Sequence, residues 1–576
     1  MEVTDLDEIP SVSRTRLSLT LSGLKDAGTA DRLTTLRRSS FLLPPGDPPE
    51  DGNGTDGGGD DRQRPSLAGR RPSLAGRKAS TMTNIFALSS TSDIFIKKGC
   101  RPTFITAMMY LSDPDPDPRK LRRVFADRLL DIPRFRSTFS WDSEAKGVRW
   151  DPILRSAVDL EYHVRTVDGR GLFDAQSIEK LISDTYMTND LDITRPLWRI
   201  TVISNLKDGR SMLFFVIDHA IGDGVAMMQV MLSLLDDPPE GKKKVKTFQK
   251  KRRYTSAPLR LAHRIVNFLA GAVDGLVAVL VPPPSDPPNP FKMIPLEQSK
   301  GEPLGKSFVQ TRAFCLDEMK TIKNKLAGAT INDLVMALQA IAMRRYLEGM
   351  RDPTMDRFLC GKEKMHMEFL VNMRSKAGEK VTNLGNVFTM GLLAIPFNFS
   401  DPIDCVWKIK AKTDLLKNSP GFYIKKMVMD AIMPLVPLDV LAKKIVEEGI
   451  PSTFMISNVM GPTEECSLAG YTLSDLNFTA LYSQGLYCGV LSYNQRLRIS
   501  LVVDNLADGD GNELRDCLEA AYDNLKQAVF EAAPNVADVV EQPVPCVPLS
   551  AKILEFSCVA AVLSIPVLVA RAWRGA

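Results

Sequence analysis

The side chains best suited to chemistry are an imidazole and a carboxylate four positions apart, His219 and Asp223, in the segment Asp218-His219-Ala220-Ile221-Gly222-Asp223-Gly224. A free imidazole titrates at about 6.5, so it can take up and return a proton near neutrality. On that chemistry His219 is a general base whose orientation depends on Asp223. Three other readings stand beside it. Asp223 could cap a following helix by accepting from its free backbone N–H groups. His219 could be a core histidine with its hydrogen bonds satisfied. A metal pair is the poorest of the four, because no cysteine or third histidine lies nearby and Asp218 alone completes a weak ligand set. We expect no metal.

These groups need a rigid mount, and the flanking residues supply one. Met212 to Ile217 is a short apolar run with Val216, Ile217 and two phenylalanines, which predicts a buried strand. From Val225 an apolar run of helical length follows. The histidine and the carboxylate therefore sit where a buried strand hands over to a helix. Gly222 and Gly224 allow the backbone angles that such a tight turn asks for.

The flanks carry a resemblance. The central stretch is similar to the HHxxxDG motif of the wax ester synthase/diacylglycerol acyltransferase family, within the wider group of CoA-dependent acyltransferases and condensation domains. Leu191-Asp192-Ile193-Thr194-Arg195-Pro196-Leu197-Trp198 resembles the family's LDxxRPLW segment, and Leu160 to Arg165 an earlier strand. Thr330 to Ala337 (TINDLVMA) resembles its TVNDVVLA helix start. Asn383-Leu384-Gly385-Asn386 with Pro396, and Ile456-Ser457-Asn458-Val459 with Gly461-Pro462, resemble two further blocks in the same order. The likeness runs from about Pro102 to about Ala532. One position departs: Asp218 stands where the family has its first histidine. Adjacent side chains on a strand point to opposite faces, so Asp218 need not enter the site. A carboxylate that did reach the imidazole would favour its protonated form and weaken the base.

The resemblance implies an α/β fold of two chloramphenicol-acetyltransferase-like domains with a central channel and His219 at its middle. It implies an acyl-CoA-dependent O-acyltransferase that moves a fatty acyl group to a fatty alcohol or diacylglycerol hydroxyl, giving wax ester or triacylglycerol. Acyl-CoA is then a co-substrate and no cofactor is needed. His219 would be the base and Asp223 an orienting carboxylate, with Gly224, Asn332 and Asp333 as structural parts of the motifs. Ser457 and Asn458 are the candidates for stabilising an oxyanion, or else part of a turn held by Asn and Gly with no catalytic part; Met460 stands where the family often has proline. Two other classes are open: a catalytically inactive acyl-CoA-binding relative, of which Asp218 would be the first symptom, and a carrier-protein-dependent condensation enzyme, although no carrier or adenylation module accompanies the chain.

Composition sets the wider frame. The 576 residues suffice for two or three domains, and 44% hydrophobic with 25% charged residues is a globular composition. A net charge of +4 is too close to balance to suggest nucleic acid as a partner. Nine cysteines without a C-x-x-C pair argue against a zinc or disulfide framework and for reduced thiols. The acidic N-terminus lacks the apolar stretch of a secretory signal peptide.

Five segments are expected. Residues 1–80 form a disordered arm, with a Gly/Asp run from Asp51 to Asp61 and a tandem RPSLAGR at Arg64–Arg70 and Arg71–Arg77. It sets Ser39, Ser66 and Ser73 behind basic residues. Residues 81–240 and 301–540 are the two acyltransferase-like domains, in which His163 reads as structural. Residues 241–300 form a connector, with a basic run from Lys242 to Arg253 and an apolar stretch to Val281 suited to a membrane interface, to packing across domains, or with its lysines to CoA phosphates. Residues 541–576 form a hydrophobic tail and possible anchor, uncharged from Phe556 to Ala570. The expected partners are thus acyl-CoA, the acceptor and a lipid membrane or droplet surface. The expected location is membrane-associated and cytosol-facing, at endoplasmic reticulum or lipid droplet.

Overall fold

The structure is a computed structural model. It describes residues 104–142, 147–170, 173–187, 191–236, 285–292, 305–326, 328–373, 384, 388–417, 421–432, 452–480, 485–504 and 509–531. The chain divides into the units Met1–Ala75 and Gly76–Ala576, and every described residue belongs to the second. The arm, the basic and apolar runs of the connector, the tail, and the Asn383–Asn386 block apart from Leu384 lie outside the described residues.

The first half alternates strands and helices in the expected α/β manner. It runs β1 (Phe104–Leu111), α1 (Pro118–Val124), the hairpin β2 (Ser137–Asp142) and β3 (Gly147–Pro152), α2 (Leu160–His163), β4 (Val164–Asp168), α3 (Ala175–Met187), β5 (Trp198–Ser204), β6 (Ser211–Asp218) and α4 (Gly224–Leu234). The start of α1 is local chemistry: Asp117 accepts from the Arg119 N–H and Pro118 occupies the first turn, where a missing N–H costs nothing. Leu160 to His163 was expected as strand but forms a single helical turn. Asp159 accepts from the N–H groups of Glu161 and Tyr162, and this local cap outweighs the β-like side chains that follow.

The second half runs β7 (Lys306–Gln310), β8 (Phe314–Cys315), α5 (Leu316–Lys325), α6 (Ile331–Gly349), α7 (Met355–Leu359), β9 (His366–Asn372), β10 (Phe388–Ala394), α8 (Pro402–Lys417), α9 (Gly421–Ile432), β11 (Phe454–Met460), β12 (Ser467–Leu468), β13 (Tyr471–Ala480), β14 (Leu486–Tyr493), β15 (Arg496–Asp504) and α10 (Gly511–Glu531). By residue type alone, the sequence offers Asn332 or Asp333 as the cap of α6. The cap is Thr330 instead, and Asp333 closes a capping box from the third helical position, each side chain bonding the other's backbone N–H.

Two sheets organise these elements. One has the order β12-β13-β1-β6-β5-β4 and the other β10-β9-β11-β14-β15-β7, with β8 paired to β15. β13 comes from the second half of the sequence, yet it pairs antiparallel with β1 along almost its whole length. Alternation fixes what each face does. Leu213, Phe215 and Ile217 of β6 pack with Ala226 and Val230 of α4. Met212, Phe214 and Val216, on the opposite face, meet Met455, Tyr487 and Val502 of the other sheet. The far side of the second sheet buries the apolar stripes of α6 and α10.

Candidate functional site

β6 ends at Asp218, and the chain turns at once. The Asp218 N–H donates to the Leu197 carbonyl at 3.0 Å, the last rung before the strand stops. Its carboxylate accepts from the Ala220 N–H at 2.8 Å, and the Ile221 N–H donates to the Asp218 carbonyl at 3.0 Å. Asp218, fully buried, is thus built into the turn, as Asp side chains often are where a chain reverses. By register it shares the sheet face that meets the second sheet with Val216 and with Arg199 of β5, which lies diagonal to it and is also buried.

His219 lies just past the strand end, only 4% exposed, with its ring edge-on to Phe388 at 6.5 Å between centroids. Asp223 then starts α4. Its backbone is extended (φ −83°, ψ 175°) and its Oδ1 accepts from the Ala226 N–H at 2.9 Å. The capping reading of Asp223 therefore holds geometrically. It does not exclude the second role, since a carboxylate has lone pairs beyond the one that accepts here. Gly224 packs directly on β11: a Cβ there would stand 3.3 Å from Cγ2 of Val459.

The turn sits at an opening in the second sheet. β9 and β11 run parallel but pair only from Met367 to Phe369 against Phe454 to Ile456, and then part. Phe388, which touches His219, pairs with Asn372 at the far end of β9, while Val459, which touches Gly224, lies beyond the paired part of β11. The motif therefore contacts both lips of a gap at the carboxyl ends of parallel strands, the usual location of ligand sites in α/β sheets.

The other sequence candidates gather around this gap. Ser457 and Asn458 lie on β11 where it leaves β9. Asn458 donates from Nδ2 to Oδ1 of Asn332 at 3.2 Å, which ties the strand to the first turn of α6. Ser457 is buried and hydrogen-bonded to the Tyr487 phenol. Asp333 faces away from this chemistry. It is fully buried and accepts from Thr330 and from the Thr413 hydroxyl at 2.7 Å, so it holds α6 against α8. Phe388, Tyr487 and Arg199 were not picked out from sequence. Each reads there as an ordinary strand residue, and only tertiary pairing brings them to the motif.

The blocks upstream act as scaffold. Trp198 donates from its indole to the Phe135 carbonyl at 2.7 Å and stacks on His163 with centroids 4.4 Å apart. His163 is buried, its Nδ1 lies 2.8 Å from the Trp198 carbonyl, and burial pulls its pKa down to about 4. It is a neutral core histidine, as the sequence suggested. Arg195 pairs with Asp159 at 2.9 Å at the solvent edge of this scaffold.

An apolar cavity lies against the motif. Between α4 and the first sheet is an apolar cavity of about 60 Å³, bordered by Gly224, Met227, Met228, Met231, Val459 and Phe478 among others. One end is therefore the residue next to Asp223. Its apolar lining suits an aliphatic chain, and the flexible methionines make a wall that can move aside to admit one. Among the described residues no group of three or more His, Cys, Asp or Glu could hold a metal ion, and no helix is long and apolar enough to cross a membrane.

Comparison with known proteins gives this arrangement its relatives. Residues 94–335 match the profile of the wax ester synthase/diacylglycerol acyltransferase catalytic domain, and residues 384–526 match the WS/DGAT C-terminal domain, together more than half of the chain. Wax ester synthase/diacylglycerol acyltransferase 9 of Arabidopsis thaliana is 24% identical over 441 residues, covering 69% of this chain and 87% of that protein. Enzyme 4 of the same name and plant is 24% identical over 459 residues, covering 72% and 85%. The wax ester synthase/diacylglycerol acyltransferase of Marinobacter aquaeolei VT8 shares the fold, with a TM-score of 0.51 at 17% identity over 78% of this chain and all of that one. The first condensation domain of the calcium-dependent antibiotic synthetase does so at 0.50 and 13%, covering 80% and 97%. With both of the family's domains matched in order, this chain belongs to the wax ester synthase/diacylglycerol acyltransferase family of acyltransferases.

Proposed function

We propose that the protein transfers a fatty acyl group from acyl-CoA to the hydroxyl of a fatty alcohol or diacylglycerol, forming wax ester or triacylglycerol. The observation that carries this reading is a buried imidazole at the mouth of an inter-strand gap, with an apolar cavity starting at the next turn. His219 removes the proton from the acceptor hydroxyl as its oxygen attacks the thioester carbon. The new C–O bond leaves a tetrahedral oxyanion, which collapses with cleavage of the C–S bond. The imidazolium returns its proton to the departing CoA thiolate, so no covalent enzyme intermediate is required. A positioned base of this kind contributes about 10²–10⁴ in rate.

Asp223 holds the turn that carries His219. Ser457, with Asn458 beside it, is the hydroxyl offered to the oxyanion, and a donor so used is worth about 10²–10³ in kcat. The acyl chain lies in the cavity along α4. Because acyl chains and ester products are too apolar to travel through water, the enzyme works at a lipid surface facing the cytosol, that of the endoplasmic reticulum or a lipid droplet.

The test is turnover of one labelled acyl-CoA with a panel of acceptors: long-chain alcohol, diacylglycerol and sterol. We expect wild type to esterify an alcohol or diacylglycerol and His219→Ala to fall below about a hundredth of that rate. A His219→Ala variant that is folded and keeps more than a tenth of the activity refutes the base assignment. A wild type that binds acyl-CoA but esterifies nothing would instead make the chain an acyl-CoA-binding relative.

A further inference from the structure

The face of β14 beneath Ser457 is built in an unusual way. In the parallel pairing of β11 with β14, Ser457 stands opposite Gly489, and Tyr487 is the next residue of β14 on the same face. Gly489 has no room for a side chain, since a Cβ there would lie 2.8 Å from the Phe478 carbonyl oxygen of β13, which crosses at this point. The same Cβ would lie 3.4 Å from Cε1 of Tyr487, so the phenol ring leans over the glycine toward the serine. There its hydroxyl makes a hydrogen bond with Ser457. Tyr487 is 2% exposed, and burial pushes its pKa far above the ordinary value for a phenol. It keeps its proton at neutral pH, and either hydroxyl of the pair can donate to the other.

We propose that Tyr487 is a positioning residue for acyl transfer, holding the Ser457 hydroxyl so that its proton points into the gap between β9 and β11. A serine hydroxyl has one proton and two acceptor sites. When the Tyr487 O–H donates to Oγ of Ser457, the serine proton is left for another acceptor. The open side of β11 is the side where β9 has parted from it and where the His219 turn lies. The tetrahedral oxyanion is the acceptor formed there. A hydroxyl that already accepts one hydrogen bond is also a stronger donor of the next. No proton leaves Tyr487 in this arrangement, and the residue touches neither substrate. The inference rests on the proposed acyl transfer and on Ser457 as its oxyanion donor.

The experiment is a double-mutant cycle on the full chain, measured as kcat and KM for acyl-CoA in wild type, Tyr487→Phe, Ser457→Ala and the double variant. We expect Ser457→Ala to lower kcat about 10²–10³-fold. Tyr487→Phe should lower it about tenfold with KM unchanged, the size of one lost hydrogen bond. In the Ser457→Ala background Tyr487→Phe should do nothing further. A purely structural tyrosine would cost the same factor in both backgrounds, and that result overturns the proposal, as does a Tyr487→Phe variant with wild-type kcat. Should Tyr487→Phe not fold, 3-fluorotyrosine at position 487 keeps the ring and hydroxyl and raises the donor's acidity. It is expected to shift kcat upward with KM unchanged, and no shift overturns the proposal. A wild type with no acyl transfer at all overturns the functional reading itself, whereas an active wild type with no Tyr487–Ser457 coupling overturns only this inference.

Discussion

Asp223 caps α4, and in the proposed reaction it also holds the turn that carries His219; one pair of substitutions separates the observed role from the proposed one. As the N-cap of α4 it offers Oδ1 to the Ala226 N–H at 2.9 Å in a position only 3% exposed. Asp223→Ala removes that acceptor. Loss of a cap costs about 0.5–2 kcal/mol, and the N–H left behind is buried, so a loss of about 2 kcal/mol is expected. Asp223→Asn keeps a side-chain oxygen for the cap and loses only the charge near the helix N-terminus, about 1 kcal/mol at this burial. Both sit well within a total stability of about 5–15 kcal/mol, so both variants stay almost wholly folded at 25 °C. Any large loss of turnover is then a property of the site. If the carboxylate charge also orients His219, Asp223→Asn should lose at least tenfold in kcat despite its small stability cost. The assay pairs urea unfolding of the three proteins with acyl transfer measured well below their melting temperatures. Full activity in Asp223→Asn, with Asp223→Ala destabilised by about 2 kcal/mol, would leave Asp223 as a helix cap alone.

Three further outcomes are expected. His163 has a folded pKa lowered from 6.5 to about 4, so the unfolded chain binds its proton first as pH falls. Its contribution is fully present above pH 6.5 and is lost toward pH 4, on the order of 3 kcal/mol. His163→Asn should therefore show a shallower acid dependence in urea unfolding than wild type, and parallel curves would contradict the assignment. Deleting residues 1–80 should leave acyl transfer measurable, since their Gly/Asp-rich and Arg/Ser-rich composition is too poor in apolar residues to build a core; a folded truncation without activity would make the arm part of the site. Flotation with liposomes should weaken when the chain is cut at Pro548, and should become less salt-sensitive when the connector lysines are changed to glutamine. A tail-less protein that floats as well as the full chain in high salt would remove the anchor role of Phe556 to Ala570.

Much of the site could be read along the chain because its signals are local. An apolar run stopped by a polar turn with two glycines, then an apolar helix, dictates a strand-to-helix mount for His219 and Asp223 whatever surrounds it. The cap on α4 follows from the same few residues. The apolar runs identified β6 and α4 to within a few residues, because burial imposes a pattern that sequence displays. The errors were local contests as well: a threonine two residues upstream won the cap of α6, and an aspartate cap drew Leu160 to His163 into a helical turn.

Pairing across the chain decided the rest. β13 was missed because the ladder slips beside Tyr110 and Leu111, a bulge that breaks the alternation between Leu473 and Leu476 and hides a ten-residue strand. Its membership of the first sheet depends on β1, more than 360 positions earlier, and no local period encodes such a partner. The gap between β9 and β11, the Phe388 ring against His219 and the phenol beneath Ser457 have the same origin. Each arises from residues far apart in sequence that are brought together by sheet register and by Gly489, whose missing side chain lets β13 approach β14 closely. The chain's own order specifies which groups can do chemistry. Which of them meet is a matter of register, and register belongs to the folded sheet.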